Sequence, residues 1–162
     1  MVLETQQQEE KFLTFHLGDK DTAVICLSHI TEVLQVSPLE ICGVPQMPSC
    51  VAGIYNWRGE MLWLIDIENM LGYEALSRSH NLATKMMAVV IRKDGKYLGL
   101  LVRQLMDIES LDVDSLKPAN IDLFSRDIAS YLEGYFIDSN EQMIISIDAK
   151  AIIDSSMWNI HN

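Results

Sequence analysis

The sequence predicts a mostly-β fold: two small five-stranded β-barrels packed side by side, with short helices between strands. Three observations predict it. Short apolar runs recur along the chain, bounded by glycine, proline, asparagine or aspartate. Asp94-Gly95 sits between two such runs, and Asp-Gly there signals a tight hairpin because both central positions need positive φ. The second half also echoes the first. Lys11-Phe-Leu-Thr-Phe and Lys85-Met-Met-Ala-Val both open a hairpin, and Val51-Ala-Gly-Ile-Tyr matches Leu132-Glu-Gly-Tyr-Phe. Met61 to Leu71 likewise matches Met143 to Ile153, with Ile-Asp at the same place. Internal duplication accounts for this pattern. Two sheets of about five strands would leave bare edges, and closing each into a barrel removes them.

The elements follow in order. Residues 1–11, rich in Gln and Glu, read as a flexible acidic arm. Phe12–Leu17 alternates, with Leu13, Phe15 and Leu17 on one face and Thr14 and His16 on the other. Gly18–Asp21 turns the chain into a second strand, Thr22–Leu27. Ser28 is placed to cap a helical turn reaching about Val33. Pro38, Pro45 and Pro48 keep the next stretch out of a central strand, because proline lacks the backbone donor. Cys50–Trp57 is a strand, Arg58–Glu60 a turn, and Met61–Ile65 a buried strand. Asp66 suits the cap of a short helix, Ile67–Leu71, closed by Gly72. Residues 73–84 lose apolar periodicity and read as a linker. The first barrel then spans about 12–72 and the second about 85–153, within one domain of 12–153; residues 154–162 form a tail. The second barrel starts with the hairpin Met86–Ile91 and Tyr97–Val102. Leu105–Leu111 is a further strand, a short helix falls near Ser125–Leu132, and Tyr131–Ile137 and Met143–Ile147 are strands. Asp148 caps a last helix, Ala149–Ile153.

Composition narrows the function. The chain has 162 residues, 49% of them hydrophobic, which suits one packed domain. Its formal charge of −11 argues against binding nucleic acid or an anionic membrane surface, both of which need a basic face. No apolar run approaches the roughly 20 residues of a spanning helix, and the N-terminus lacks signal-peptide character, so a cytoplasmic protein is expected. Cys26, Cys42 and Cys50 are odd in number and irregular in spacing, which suits reduced thiols rather than disulfides or a zinc site. His16, His29, His80 and His161 have no metal-ligand spacing. There is no phosphate loop, dinucleotide fingerprint or nucleophile elbow. The expectation is therefore no enzyme, no cofactor and no metal.

A few residues stand out. Asp66 and Asp148 could tempt one to a carboxylate pair, but each follows an apolar strand and precedes a helical turn, where aspartate satisfies free N–H groups. Arg58, between Trp57 and Gly59, offers a planar fork to a carboxylate or carbonyl, inside the fold or on another protein. Trp57 and Trp63 fall on one face if alternation runs unbroken through the turn, and both core packing and interface anchoring suit them.

Gly53-Ile-Tyr-Asn56-Trp-Arg58-Gly59, followed by Met61-Leu-Trp-Leu-Ile-Asp66-Ile, resembles the central motif of the CheW-type adaptors of bacterial chemotaxis. Ile30-Thr-Glu32-Val33, Val44-Pro45-x-x-Pro48, Phe15-x-Leu17-Gly18 and Leu98-Gly99-Leu-Leu-Val102 match further family segments. The resemblance covers roughly residues 12–153. It implies SH3-like barrels and an adaptor without enzymatic activity. It implies two partners: the regulatory domain of a CheA-type histidine kinase, and the cytoplasmic tip of a methyl-accepting chemoreceptor. By resemblance, Glu32, Val33, Asn56 and Arg58 lie around the receptor groove, and Gly53 and Gly99 lie where a partner approaches closely. Three residues depart from the family pattern: Trp57 for leucine, Trp63 for proline, and Arg103 for an acidic residue. Trp-Arg-Gly and the Glu-Gly-Tyr-Phe of 133–136 are similar to cyanobacterial variants that serve phototaxis. Two other readings stay open: a competitor that binds the kinase without receptor coupling, and a small-molecule sensing β module.

Overall fold

The structure, a computed structural model, describes residues 8–73 and 85–155. Its strands are β1 (Glu9–Leu17), β2 (Asp21–Cys26), β3 (Ile30–Val36), β4 (Val51–Trp57), β5 (Glu60–Asp66), β6 (Met86–Lys93), β7 (Lys96–Val102), β8 (Leu105–Asp112), β9 (Leu132–Ile137) and β10 (Met143–Ile147). Short helices α1 (Ile67–Met70), α2 (Arg126–Ala129) and α3 (Ala149–Ile153) interrupt them. The strands form two five-stranded sheets of SH3-like character. A terminal sheet has the order β8-β1-β2-β10-β9, and a central sheet the order β3-β6-β7-β5-β4.

This pairing corrects the division into one barrel per half. Each sheet takes strands from both halves. Adding or subtracting five strand positions carries one sheet order onto the other, so the duplication is present, but each half lends its hairpin to the other half's sheet. The exchange is made by four ladders between the halves, parallel for β2 with β10 and β5 with β7, antiparallel for β1 with β8 and β3 with β6; the hairpin ladders within each half are antiparallel. Hairpin signals are local and read the same whichever sheet the hairpin joins.

Nor do continuous ladders close the sheets into barrels. Each curls until a single bridge ties one edge strand to the segment that follows the other: Ile54 of β4 to Cys42, beyond β3, in the central sheet, and Tyr135 of β9 to Lys117, beyond β8, in the terminal sheet. Gly53 and Gly134 make these bridges possible. Their φ values are +145° and +150°, and a Cβ would fall on the carbonyl oxygen of Cys42 or Lys117 respectively.

The inner strands of each sheet are largely buried on both faces, whereas the edge strand β8 is mostly exposed. The largest cluster lies between the sheets and joins Leu13, Phe15 and Ile25 to Val89, Ile91 and Leu100. A second fills the curl of the central sheet, with Trp57, Leu62 and Leu64. A smaller third fills the terminal sheet, with Phe12, Val24 and Phe136. Each fully buried Leu, Ile or Phe stabilises the fold by ~1.5–3 kcal/mol.

Locally, Asp66 and Asp148 are helix caps. Asp66 Oδ1 accepts from the backbone N–H of Glu68 (3.1 Å) and Asn69 (3.2 Å), and Asp148 Oδ1 from that of Ala151 (3.0 Å). The Asp94-Gly95 turn has φ values of 52° and 78°, as a tight hairpin requires. Three expectations change. β1 begins at Glu9, so residues 9–11 belong to the sheet rather than to an arm. Only a 3-10 turn, Leu27–His29, follows β2, without a side-chain cap; strand pairing with β6 then takes the chain from Ile30. Trp57 and Trp63 face opposite sides, because the chain reverses over two residues and pairs Trp57 with Glu60. Residues 1–7 of the arm, 74–84 of the linker and 156–162 of the tail lie outside the described residues.

Candidate functional site

The turn between β4 and β5 carries the most developed side-chain cluster on the surface. Arg58 and Gly59 form it with positive φ, 54° and 80°. For arginine this is a costly conformation, of order 1–3 kcal/mol, held by its surroundings. Asn56 Oδ1 accepts from the Gly59 backbone N–H at 3.1 Å and fixes the turn. Arg58 is thereby aimed across the gap between the two sheet edges, β4 and β3.

Glu32 meets it there. Arg58 Nη2 donates to Glu32 Oε2 at 2.7 Å, and Trp57 Nε1 donates to Glu32 Oε1 at 2.6 Å. The Arg58 guanidinium lies 4.7 Å over the Trp57 ring, whose other contact is Tyr97, centroids 5.0 Å apart. The indole hydrogen bond, then Arg58, holds the Glu32 carboxyl below the usual carboxylate range. The group acts as a clasp over edges that no ladder joins. Arg58 is 62% exposed and uses one nitrogen of its fork, so its outer N–H groups face solvent with capacity for a further acceptor.

The expected residues divide by place. Glu32, Asn56 and Arg58 come together with Trp57. Val33 is half-buried on the other face of β3, against the core between the sheets. Gly53 and Gly99 make close approaches inside the chain: Gly53 to the Cys42 carbonyl, Gly99 to the side chains of Leu64 and Leu62. Tyr97 was not anticipated; its place just after the Asp94-Gly95 turn was the signal that could have found it.

A second cluster lies where the chain crosses from β7 to β8. Glu68 on α1 is fully buried, and Arg103 is 18% exposed. Arg103 Nε donates to Glu68 Oε1 at 2.9 Å and Oε2 at 2.7 Å. Burial pushes the Glu68 carboxyl above its usual range, with Arg103 opposing that shift. Sequence reasoning singled out Arg103 only as a departure and missed Glu68, since a charge pair 35 positions apart leaves no local pattern. Among the described residues, no group of three or more His, Cys, Asp or Glu side chains is gathered as a metal site would be.

The family model described as CheW-like domain matches residues 11–157. A chemotaxis protein CheW from Helicobacter pylori is 28% identical over 114 residues, covering 68% of this chain and 65% of that relative, just under two thirds of its length. A probable chemotaxis protein CheW from Rhizobium etli is 24% identical, covering 93% of this chain and 91% of the relative. The crystal structure of scaffolding protein TtCheW from Thermoanaerobacter tengcongensis aligns with a TM-score of 0.74 at 20% identity, covering 91% of this chain and 94% of that one. That likeness carries the fold.

Proposed function

Because the chain belongs to the CheW-like domain family, we propose that it is the adaptor that couples a CheA-type histidine kinase to a methyl-accepting receptor in a bacterial taxis array. At the level of the family, the chain is a CheW-type, non-enzymatic scaffold of chemotaxis signalling. The observation that supports the finer reading is the clasp at the β4–β5 turn. Its backbone and side chains are held from three directions, and it leaves outward-facing donors on Arg58. A preformed donor set loses little entropy on docking. Glu32, Asn56 and Arg58 then form the receptor contact, with Val33 supporting β3 from behind. Gly53 and Gly99 contribute by letting the sheet bend and pack beneath that surface. The same reading places the protein in the cytoplasm, recruited to membrane-bound receptors; no helix among the described residues is long and apolar enough to cross a membrane. Phototaxis rests on Trp57-Arg58-Gly59 and residues 133–136 alone, and belongs to this proposal.

The test mixes the purified chain with the regulatory domain of a CheA-type kinase and with a receptor-tip fragment. Both should bind, and kinase autophosphorylation should come under receptor control. Binding of neither at high micromolar concentration sinks the proposal. Binding of the kinase without receptor control supports the competitor instead. Arg58→Ala should weaken receptor binding about tenfold while leaving kinase binding and thermal stability near their original values. A large loss of stability without selective loss of receptor binding would make Arg58 structural.

A further inference from the structure

The two sheets are related by a shift of five strands, yet their free ends differ. The central sheet's end is filled by Trp57 and fastened to β3 through Glu32. The corresponding end of the terminal sheet, between β8 and the β9–β10 turn, is open. Asp138 at that turn caps its own loop, its Oδ1 accepting from the backbone N–H of Asn140 (2.8 Å) and Gln142 (2.9 Å), and fastens nothing on β8. What remains is a cleft of about 690 Å³ with Phe136, Leu111 and Ile144 in its floor. Met106 and Ile137 line it while each is 44% exposed. Apolar side chains of this size gain by being covered.

Charge selects what covers them. Segments 9–26 and 105–147, which supply the terminal sheet, hold thirteen acidic and four basic side chains. Segments 27–73 and 85–104, which supply the central sheet, hold six of each. Nearly all the net charge therefore lies on the unit with the open cleft. Asp21, Glu109 and Asp138 line the cleft itself against one cation, Lys20. An acidic or neutral partner would be repelled or indifferent, whereas a cationic one is steered in.

We propose that this cleft docks an extended polypeptide segment of a partner protein, one that inserts an apolar side chain flanked by lysine or arginine. The site lies at the opposite sheet from Arg58 and does not depend on the receptor reading of that residue.

The probe is a seven-residue peptide, Lys-Val-Lys-Leu-Lys-Val-Lys, titrated into the full chain carrying labelled Met and Ile methyl groups. Its methyl signals should shift at Met106, Ile137, Met143 and Ile144 and stay fixed at Met61 on the central sheet. A peptide with serine for valine and leucine, and one with glutamate for lysine, should each bind at least tenfold more weakly. Glu109→Lys combined with Asp138→Asn should weaken binding about tenfold; the asparagine oxygen keeps the turn's cap, and thermal unfolding confirms an intact fold. High salt should weaken it further. The proposal fails if no methyl shifts. It also fails if shifts scatter over the acidic surface, if the serine peptide binds equally well, or if the double variant binds unchanged.

Discussion

Arg58 and Arg103 each hold a glutamate, and burial separates what the two pairs do. The Arg58–Glu32 pair is exposed, and pairs of that kind contribute little to stability. Glu32 has a lowered folded-state pKa, so whatever it contributes is present above the ordinary carboxylate range and is lost as pH falls through the folded value. The Arg103–Glu68 pair behaves in the opposite sense. Glu68 has a raised pKa in the fold, so the folded chain holds this proton more tightly than the unfolded chain does. Its ionised form is a cost that grows as pH rises from the ordinary carboxylate range through the folded value. Arg103 offsets that cost. Arg103→Ala should therefore destabilise the protein by ~3–5 kcal/mol at neutral pH, through a buried carboxylate left without its cation. The deficit should shrink as pH falls from neutral through the raised folded-state value of Glu68, where its carboxyl takes up a proton. Urea denaturation of both proteins across that range checks this; a deficit that does not change with pH would show that Arg103 acts through packing instead.

Among the elements, the two single-residue bridges decide whether each sheet curls. Gly53 and Gly134 occupy backbone conformations that L side chains rarely adopt, and the atom each added Cβ meets is a backbone carbonyl that cannot step aside. Gly53→Ala and Gly134→Ala should each cost ~2 kcal/mol or more. Gly99 differs: its φ is ordinary, and its Cβ would meet the ends of the Leu64 and Leu62 side chains, which can rotate. Gly99→Ala should cost ~1 kcal/mol, the lower end of overpacking. Thermal unfolding of the three variants ranks them, and a Gly99 variant worse than the other two would contradict the argument. Elements written in local chemistry were legible from sequence: the caps at Asp66 and Asp148, the turn at Asp94-Gly95, the alternation of β1. β3 was not, because Ile30–Val36 carries no clean alternation and is a strand by virtue of β6 beside it. The faces of Trp57 and Trp63 were misjudged for a related reason, since a two-residue turn inverts the parity that counting along the chain assumes. At the site, the motif marked Glu32, Asn56 and Arg58, but the indole bond that joins them depends on two opposite sheet edges meeting.

At the scale of the molecule, the duplication was readable and its exchange was not. Similarity between halves says that two units exist; which hairpin joins which sheet depends on contacts between segments distant in sequence, among them the parallel pairs β2 with β10 and β5 with β7, the nearer of which joins residues 35 apart. The exchange has a direct consequence for cutting the chain within 74–84. A fragment with β1–β5 alone has β2 without β10 and β5 without β7, so neither sheet keeps the parallel pairing that joins its two parts. The fragment with β6–β10 fails in the same way. Separately, each should show no cooperative unfolding as a monomer, and mixed they should assemble into a cooperatively folded complex. Self-association of one fragment fits as well, because the shift of five strands lets a hairpin pair with the same half of a second copy. The informative contrary result is a monomeric half that unfolds cooperatively, measured by denaturant titration alongside sedimentation. That would require the hairpin to fold back on its own half, β2 beside β5, which is the half-by-half arrangement that the strand order excludes.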